Sequence, residues 1–352
     1  MAFRDVSGHR ALIRLMARAV ARGSLPPSLI LAGPDGVGKR LVAAALAQAL
    51  NCEEPVRGDA PEGAPGEAAG SLPIDACGRC SACERIAREA HPDVLVLGAE
   101  NDVAITVDEV RSAVGETRYR PFEGRRRVLV INDADRLVPQ AQNALLKTLE
   151  EPPAAAQFLL VTARSDRLLA TVRSRCQRIS FGYLGPRELA ARLMRRHGSE
   201  EATARAAAAA AGGSAGRALQ LASGELTAAR DAALALLDAV ASSRAANARL
   251  NAAKGLLDGK SGGAAGGKAR RAELAHRLRA LASLLRDVTL LASGADRAAL
   301  ANPDLHDRFA PLARPAAAKW GVTAFAAVDE ALEATERNAS PKVVADWIAC
   351  RL

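Results

Sequence analysis

Short apolar stretches, each bounded by polar or glycine-containing segments, recur through the first half of the chain. Stretches of four or five such residues predict buried strands, and the segments between several of them carry apolar residues at helical spacing. Strands that alternate with helices are typical of an α/β domain built on a parallel sheet. The predicted strands are Ser28–Ala32, Val94–Leu97, 128–131, 158–162 and 178–181.

Helical spacing alone continues beyond Pro186, where no further strand is predicted. This part of the chain is rich in alanine, the residue with the highest helix propensity. We therefore predict an all-helical second part, interrupted by a flexible glycine-rich loop at 259–268. The predicted helices are 187–197, 200–211, 226–241, 273–292, 296–312, 316–337 and 341–352.

A glycine-rich segment, residues 33–40, follows the first predicted strand and precedes a helical run. Its sequence, G-P-D-G-V-G-K-R, fits the phosphate-binding pattern G-x-x-x-x-G-K-[ST] at every position but the last. In such a loop the backbone N–H groups and the helix N-terminus face a phosphate, and the lysine reaches the outer phosphates. Arg40 replaces the hydroxyl that ligates Mg²⁺, so we predict a loop that binds phosphate but lacks a part needed for hydrolysis. The candidate residues are Gly33, Gly36, Gly38, Lys39 and Arg40.

The strand predicted at 128–131 ends in two polar residues, Asn132 and Asp133. Acidic residues at the end of a strand that follows a phosphate loop hold Mg²⁺ and orient the attacking water. Asn132 is a neutral amide, and Asp133 is one methylene shorter than the usual glutamate, so we predict that this part of the site is degenerate as well. The next predicted strand ends in Thr162, which we add to the nucleotide-site candidates.

Three cysteines occur as C-x-x-C-x-x-C, and a fourth lies upstream. Four thiolates suit tetrahedral Zn²⁺, and a small module with little core needs a metal to fold. An iron–sulfur cluster is a rival occupant, although the close downstream cysteine of ferredoxins is absent; unrelated buried thiols are the third interpretation. We predict a structural zinc module over about 52–90, in which residues 53–75, rich in Ala, Gly, Pro and Glu, form a flexible insertion. The candidate ligands are Cys52, Cys77, Cys80 and Cys83.

Composition and charge narrow the function only slightly. Hydrophobic residues make up 49% of the chain and aromatic residues 3%, so the apolar mass is mainly aliphatic, which favours helices. The net charge of +9 is compatible with nucleic acid or acidic partners, and equally with a solvated basic surface. Two arginine-rich segments, 118–127 and 164–178, leave the same two interpretations open.

The cellular compartment is predicted from what the sequence lacks. No run of 18 apolar residues is present, and the N-terminus has no apolar signal-peptide core. We therefore expect a cytoplasmic protein whose six cysteines are reduced. Their clustering then calls for a metal or for chemistry in place of disulfides.

Six motifs follow one another along the first part of the chain. They are D-V-S-G at 5–8, the phosphate loop, the cysteine cluster, H-P-D at 91–93, N-A-L-L-K-T-L-E-E-P-P at 143–153 and S-R-C at 174–176. Together they resemble the bacterial clamp-loader ATPases of the AAA+ class, and among them the delta-prime subunits of DNA polymerase III. The resemblance covers residues 1–220, and the remaining helices match in size and character.

The resemblance implies a domain plan, partners and cofactors. It implies an AAA+ nucleotide-binding domain over 1–185 with a zinc module, a helical lid over 186–222 and a helical collar over 223–352 that assembles a ring. The implied partners are motor (gamma/tau) and delta subunits and, through the complex, the sliding clamp and primed DNA. The implied cofactors are Zn²⁺ and ATP or ADP bound without turnover. Polymerisation chemistry is not expected here, because no carboxylate set for nucleotidyl transfer is evident.

By the same resemblance Arg175, the arginine of S-R-C, is an arginine finger that reaches the ATP site of a neighbouring subunit. A fixed cation near the γ-phosphate stabilises the charge that develops during phosphoryl transfer. The alternative interpretation of Arg175 is a surface charge. The resemblance also places Asp133 at the position of the catalytic acidic residue, in a degenerate form of that motif.

Three departures separate this chain from the motor subunits that it resembles. Arg40 replaces a hydroxyl, and Asn132 and Asp133 replace Asp-Glu. The nucleotide-sensing arginine of the lid is expected near Gly216, but Arg217 lies one position away, which turns a helical side chain by about 100°. This combination favours a subunit that lends its finger and does not hydrolyse ATP. The alternatives are an ATP-hydrolysing motor (gamma/tau-like) subunit and a zinc-containing nucleic-acid-binding protein.

Overall fold

A computed structural model describes residues 2–59, 71–98, 104–222, 226–242, 245–257, 267–312 and 315–352. The chain divides into two units, Met1–Leu184 and Gly185–Leu352. Within the described residues, every strand belongs to the first unit, and the second unit is helical. The predicted α/β first part and helical second part are therefore confirmed.

The first unit alternates strands and helices along the chain. Its strands are β1 (Ser28–Ala32), β2 (Val56–Asp59), β3 (Ser71–Asp75), β4 (Val94–Leu97), β5 (Arg127–Ile131), β6 (Ala156–Thr162) and β7 (Gln177–Ser180). Its helices are α1 (Arg10–Ala21), α2 (Lys39–Asn51), α3 (Ser81–Ala87), α4 (Val107–Thr117), α5 (Pro139–Glu150) and α6 (Ala170–Arg173).

Five of these strands form one parallel sheet in the order β4-β5-β6-β1-β7. Two apolar clusters flank it: one includes Ile13 of α1 and Leu46 of α2, and the other includes Val110 of α4 and Leu145 of α5. Burial on both faces explains why the inner strands β1, β5 and β6 are nearly continuous apolar runs. Because the carboxyl ends of parallel strands meet at one edge, the segments after β1, β5 and β6 come together there.

Helix α4 shows how a local pattern fixes an element boundary. The Thr106 N–H donates to the Glu109 carboxylate at 2.7 Å, and the Glu109 N–H donates to the Thr106 hydroxyl at 3.4 Å. This reciprocal capping box satisfies two N–H groups that a helix start leaves unpaired. Hydrogen bonds from the Thr106 side chain and backbone lower the pKa of Glu109.

The prediction of an entirely flexible insertion at 53–75 is wrong at its two ends. Strands β2 and β3 pair there as an antiparallel hairpin, and residues 60–70 between them lie outside the described residues. Leu72 is fully buried in the core beside α1. The carboxylate of buried Asp75 accepts hydrogen bonds from the N–H groups of Phe3 and Arg4 at 2.8 and 3.2 Å, which ties the N-terminus to β3. A few alternating apolar residues thus suffice for a strand when a neighbouring helix covers them.

The second unit packs its helices around an aliphatic core that includes Leu281, Leu284, Val328 and Ile348. No described helix in either unit is long and apolar enough to cross a membrane. The predicted division into a lid over 186–222 and a collar over 223–352 stays a prediction. The helices are α7 (Pro186–His197), α8 (Glu201–Ala210), α9 (Ala215–Gln220), α10 (Leu226–Ser242), α11 (Ala246–Lys254), α12 (Gly267–Ala292), α13 (His306–Phe309), α14 (Pro315–Glu336) and α15 (Pro341–Arg351).

One predicted helix of the second unit is wrong as a continuous element. Residues 296–312 form two short 3₁₀ turns and the four-residue helix α13. Pro303 opens the second turn, and a proline inside a helix removes a backbone N–H and clashes with the preceding turn. The predicted loop at 259–268 lies almost entirely in 258–266, outside the described residues.

Candidate functional site

The glycine-rich loop joins β1 to α2 as the sequence predicts. Helix α2 begins at Lys39, and its preceding residue, Gly38, has φ of 102°. Gly36 has φ of 75° and Gly33 has φ of 154°. At these φ values a residue with a Cβ atom is strained, so the loop conformation depends on glycine at these positions. The helix N-terminus thereby faces the loop with its unpaired N–H groups, which favour an anion.

Gly33 packs closely against the backbone that follows β7. A Cβ at position 33 would lie 2.3 Å from the Phe181 carbonyl oxygen and 2.8 Å from the Phe181 Cβ. Gly33→Ala is therefore expected to destabilise the first unit by roughly 3 kcal/mol or more, through this overlap and the positive φ. Gly38→Ala is the matched control, because no heavy atom lies within 4 Å of its added Cβ, and strain alone costs about 1–2 kcal/mol. Chemical unfolding that gives equal losses for both variants would contradict the close approach.

The side chain of Lys39 is buried within the loop, with 6% of its surface exposed. Its ammonium donates to the carbonyl oxygens of Gly33 and Pro34 at 2.5 and 2.6 Å. Burial lowers the pKa of Lys39, and nearby carboxylates oppose this effect. The loop thus holds a buried cation beside the helix N-terminus, as a phosphate-binding loop requires. The opposing carboxylates are Asp35, Asp133 and Asp135.

Arg40 and Asp133 form an ion pair across the carboxyl edge of the sheet. Asp133 follows β5 in the left-handed conformation, with φ of 51°, and its side chain meets the guanidinium of Arg40 at the start of α2. The Asn132 side-chain oxygen is buried and has no hydrogen-bond partner among the described residues. Mg²⁺ requires several oxygen ligands in octahedral geometry. A guanidinium offers none, and it already occupies the carboxylate, so these residues do not fit Mg²⁺.

Thr162, at the end of β6, is connected to an acidic residue that the sequence analysis left out of the site. Its hydroxyl donates to the Asp135 carboxylate at 2.7 Å and accepts from the Arg164 N–H at 3.0 Å. Asp135 also acts electrostatically on Lys39. The signal was present in the sequence, since Asp135 stands two positions after Asp133, but only the register of β5 and β6 brings it beside Thr162.

The four candidate metal ligands converge at the far end of α2. The sulfur atoms of Cys52, Cys77, Cys80 and Cys83 all lie within 4.8 Å of one another. The Sγ atoms of Cys52 and Cys80 are 3.9 Å apart, and those of Cys77 and Cys83 are 4.0 Å apart. Four thiolates at about 2.3 Å from a tetrahedral ion lie roughly 3.8 Å from one another, so the arrangement fits a four-coordinate metal.

Local hydrogen bonds and burial give these thiols different acidities. Burial raises the pKa of Cys52 and of Cys83. For Cys77 burial acts in the same direction, but hydrogen bonds from the backbone of Arg79 and Cys80 outweigh it and lower its pKa to about 7. N–H donors aimed at a sulfur stabilise the thiolate that a metal needs.

Arg175 lies just after α6 and carries its guanidinium on an exposed surface. Its Nε donates to the Glu150 carboxylate at the end of α5 at 2.8 Å, and its Nη1 donates to the Thr171 carbonyl oxygen at 2.9 Å. About a third of the Arg175 side chain remains exposed. These contacts restrict the side chain while leaving part of the guanidinium open to an approaching group.

The arginine-rich segment at 118–127 divides into two roles. Arg126 donates to the Ala154 carbonyl oxygen at 2.6 Å, and Arg127 lies 3.6 Å from the carboxylate of buried Asp93, so both stabilise the fold. Within the part of the chain that the structure describes, Arg118, Arg120 and Arg125 are exposed and form no ion pair.

Comparison with known proteins agrees with this architecture. A family model described as DNA polymerase III, delta subunit, matches residues 8–184. The delta′ subunit of DNA polymerase III from Pseudomonas aeruginosa is 39% identical over 148 residues, which cover 42% of this chain and 40% of that protein. The tau subunit from Salmonella typhimurium is 32% identical over 174 residues, which cover 49% of this chain and 24% of that protein. The matched part therefore spans less than half of either relative.

A solved structure also resembles the chain: a DNA polymerase III gamma subunit-related protein from Thermotoga maritima, with 17% identity and a TM-score of 0.41 over 95% of this chain and 97% of that one. The parallel sheet and the glycine-rich loop that leads into α2 give the first unit the fold of an AAA+ P-loop domain. Because the family match covers half of the chain, the chain belongs to the DNA polymerase III delta subunit family, a family of clamp-loader subunits.

Proposed function

We propose that the chain is a delta-prime-like clamp-loader subunit that lends Arg175 to the ATP site of a neighbouring motor subunit and does not hydrolyse ATP itself. The observation that carries this proposal is the ion pair between Arg40 and Asp133. It occupies the two positions that would ligate Mg²⁺ and orient water in a hydrolysing site. About a third of the Arg175 side chain, by contrast, remains exposed, which supports a contact with another subunit.

The proposed role is positional. The chain would help motor (gamma/tau) and delta subunits form a hetero-oligomeric ring that loads the sliding clamp onto primed DNA. Its phosphate loop would hold ATP or ADP without turnover, since the glycines and the buried Lys39 remain. Zn²⁺ would be bound at Cys52, Cys77, Cys80 and Cys83, where it stabilises the module and takes no part in hydrolysis.

An ATP-hydrolysing motor subunit is the second candidate function. The observation that favours it is the conformation of the phosphate loop, whose positive-φ glycines and buried Lys39 retain the features of a phosphate-binding loop. In that case Asp133 would have to leave Arg40 and serve as the acidic residue of the site. In a motor subunit, ATP hydrolysis at this chain's own site would depend on Lys39. In a supporting subunit, no hydrolysis would depend on Lys39.

Lys39→Ala in a reconstituted loader separates the candidates. If this chain serves only a neighbour, the variant should leave clamp- and DNA-stimulated ATP hydrolysis at the wild-type rate, because Lys39 contacts no nucleotide that is turned over. The measurement is the steady-state rate of phosphate release with clamp and primed DNA, compared with wild type and with Arg175→Ala. A loss for Lys39→Ala as large as that for Arg175→Ala would identify a motor subunit.

A further inference from the structure

The side chain of Arg40 places a positive charge at the phosphate loop. Arg40 is the second residue of α2, and its guanidinium contacts the Asp133 carboxylate, which lies 93 positions later in the sequence. In a hydrolysing loop the residue at position 40 and the end of β5 hold Mg²⁺ between them. Here a guanidinium connects the same two elements, so positive charge is supplied where the metal ion would supply it.

The geometry leaves this guanidinium able to bind a second anion. A guanidinium has five N–H donors, and the Asp133 contact is made through Nη2 alone. The side chain of Arg40 is 60% exposed and that of Asp133 is 33% exposed, so the pair is open to a ligand. Lys39 and the N-terminus of α2 lie beside it and attract the same kind of group. Because the guanidinium is a covalent part of the chain, its positive charge does not depend on a bound ion.

We propose that Arg40 replaces Mg²⁺ in this site, so that the loop binds the phosphates of a nucleoside di- or triphosphate without a divalent cation. This inference rests on the proposed function, in which the loop holds a nucleotide without turnover. It adds that Asp133 serves to orient Arg40 and does not ligate a metal. The guanidinium then bridges a carboxylate and a phosphate, the same bridging that Mg²⁺ performs in hydrolysing sites.

The experiment measures binding of mant-ADP and mant-ATP to the full chain by fluorescence, in buffer with excess MgCl₂ and in buffer with EDTA. The variant Arg40→Thr restores the hydroxyl of the usual motif and frees Asp133. Arg111→Thr is the matched control, because it removes an exposed arginine on α4, away from the loop. Lys39→Ala shows whether the signal comes from the phosphate loop. Circular dichroism of each variant establishes that it is folded.

For the wild type and for Arg111→Thr we expect dissociation constants that differ by less than about twofold between the two buffers. For Arg40→Thr we expect binding that is weakened about tenfold or more in EDTA, because Asp133 is left as an unpaired negative charge, and that is recovered in MgCl₂. Lys39→Ala should lose binding in both buffers.

Two results would overturn the inference. One is wild-type binding that requires MgCl₂, which would make the site an ordinary magnesium site. The other is the lack of any nucleotide binding by the folded wild type in either buffer, which would mean that the ion pair closes the loop. Neither result tests the proposed arginine finger, because Arg175→Ala is expected to lower ATP hydrolysis at the site of a neighbouring subunit.

Discussion

Replacing Arg175 by alanine is expected to lower ATP hydrolysis about 10³–10⁵-fold at the one ATP site that this arginine serves in a reconstituted loader. The planar fork of donors on its guanidinium matches a phosphate, and hydrogen bonds to Glu150 and Thr171 restrict the side chain. Lysine keeps the charge but not the fork, so Arg175→Lys should recover only part of the rate. The total rate of phosphate release in the presence of clamp and primed DNA measures the effect as the loss of that one site's share of the turnover.

The control for this prediction is close by in sequence. Arg173 ends α6 and is exposed, so Arg173→Ala removes an equal charge from the same surface. Because the Arg175–Glu150 pair is partly exposed, its loss should change the stability of the isolated chain by at most about 1 kcal/mol. Loader activity for Arg175→Ala that equals that of Arg173→Ala would remove the finger from the proposed function.

Replacing Cys77 by serine is expected to remove the bound metal and to destabilise the first unit by at least about 4 kcal/mol, because structural zinc contributes roughly 10–16 kcal/mol in small peptides. The cysteine cluster shares its residues with the end of α2 and the start of α3, so the loss of metal should loosen both helices. Urea unfolding and metal analysis of the purified chain measure the two effects. One zinc per wild-type chain is expected.

The chain offers a matched control for the cysteine prediction as well. Cys350 is exposed on α15 in the second unit, and Cys350→Ser alters one thiol without touching the cluster. It should keep one zinc per chain and the wild-type unfolding curve. Wild-type protein that contains iron would favour the rival iron–sulfur occupant. Protein without metal, together with a Cys77→Ser variant as stable as Cys350→Ser, would leave four thiols with no shared ligand.

Features encoded by residues close together in sequence could be predicted well. The order strand, glycine loop and helix at 28–51 appears in the structure because each part has its own local signal. The cysteines come together as expected, although Cys52 is distant in sequence, because the C-terminus of α2 and the hairpin of β2 and β3 bring it back to the cluster. A site whose residues follow a rare and strict pattern, such as the cysteine cluster, can therefore be predicted from sequence. The structure of the segment that connects its residues cannot.

Features that depend on register between distant strands could not be predicted. The Arg40–Asp133 pair and the Thr162–Asp135 hydrogen bond join residues 93 and 27 positions apart. In the sequence Arg40 and Asp133 are two separate departures from the motor pattern, because nothing in their local neighbourhoods connects them. The hairpin was missed for a related reason: Leu72 signals a strand only when α1 is there to cover it.

The mutual charge balance of Arg40 and Asp133 also has an evolutionary consequence. Loss of Asp133 alone would leave Arg40 and Lys39 as neighbouring cations, and changing Arg40 to a hydroxyl residue would still leave Asn132 in place of an acid. A return to the usual motif therefore takes several substitutions, and those at the two contacting positions are expected to be non-additive. The ion pair thus links the start of α2 and the end of β5 in the substitutions that each tolerates, whereas Arg175 lies outside this coupling.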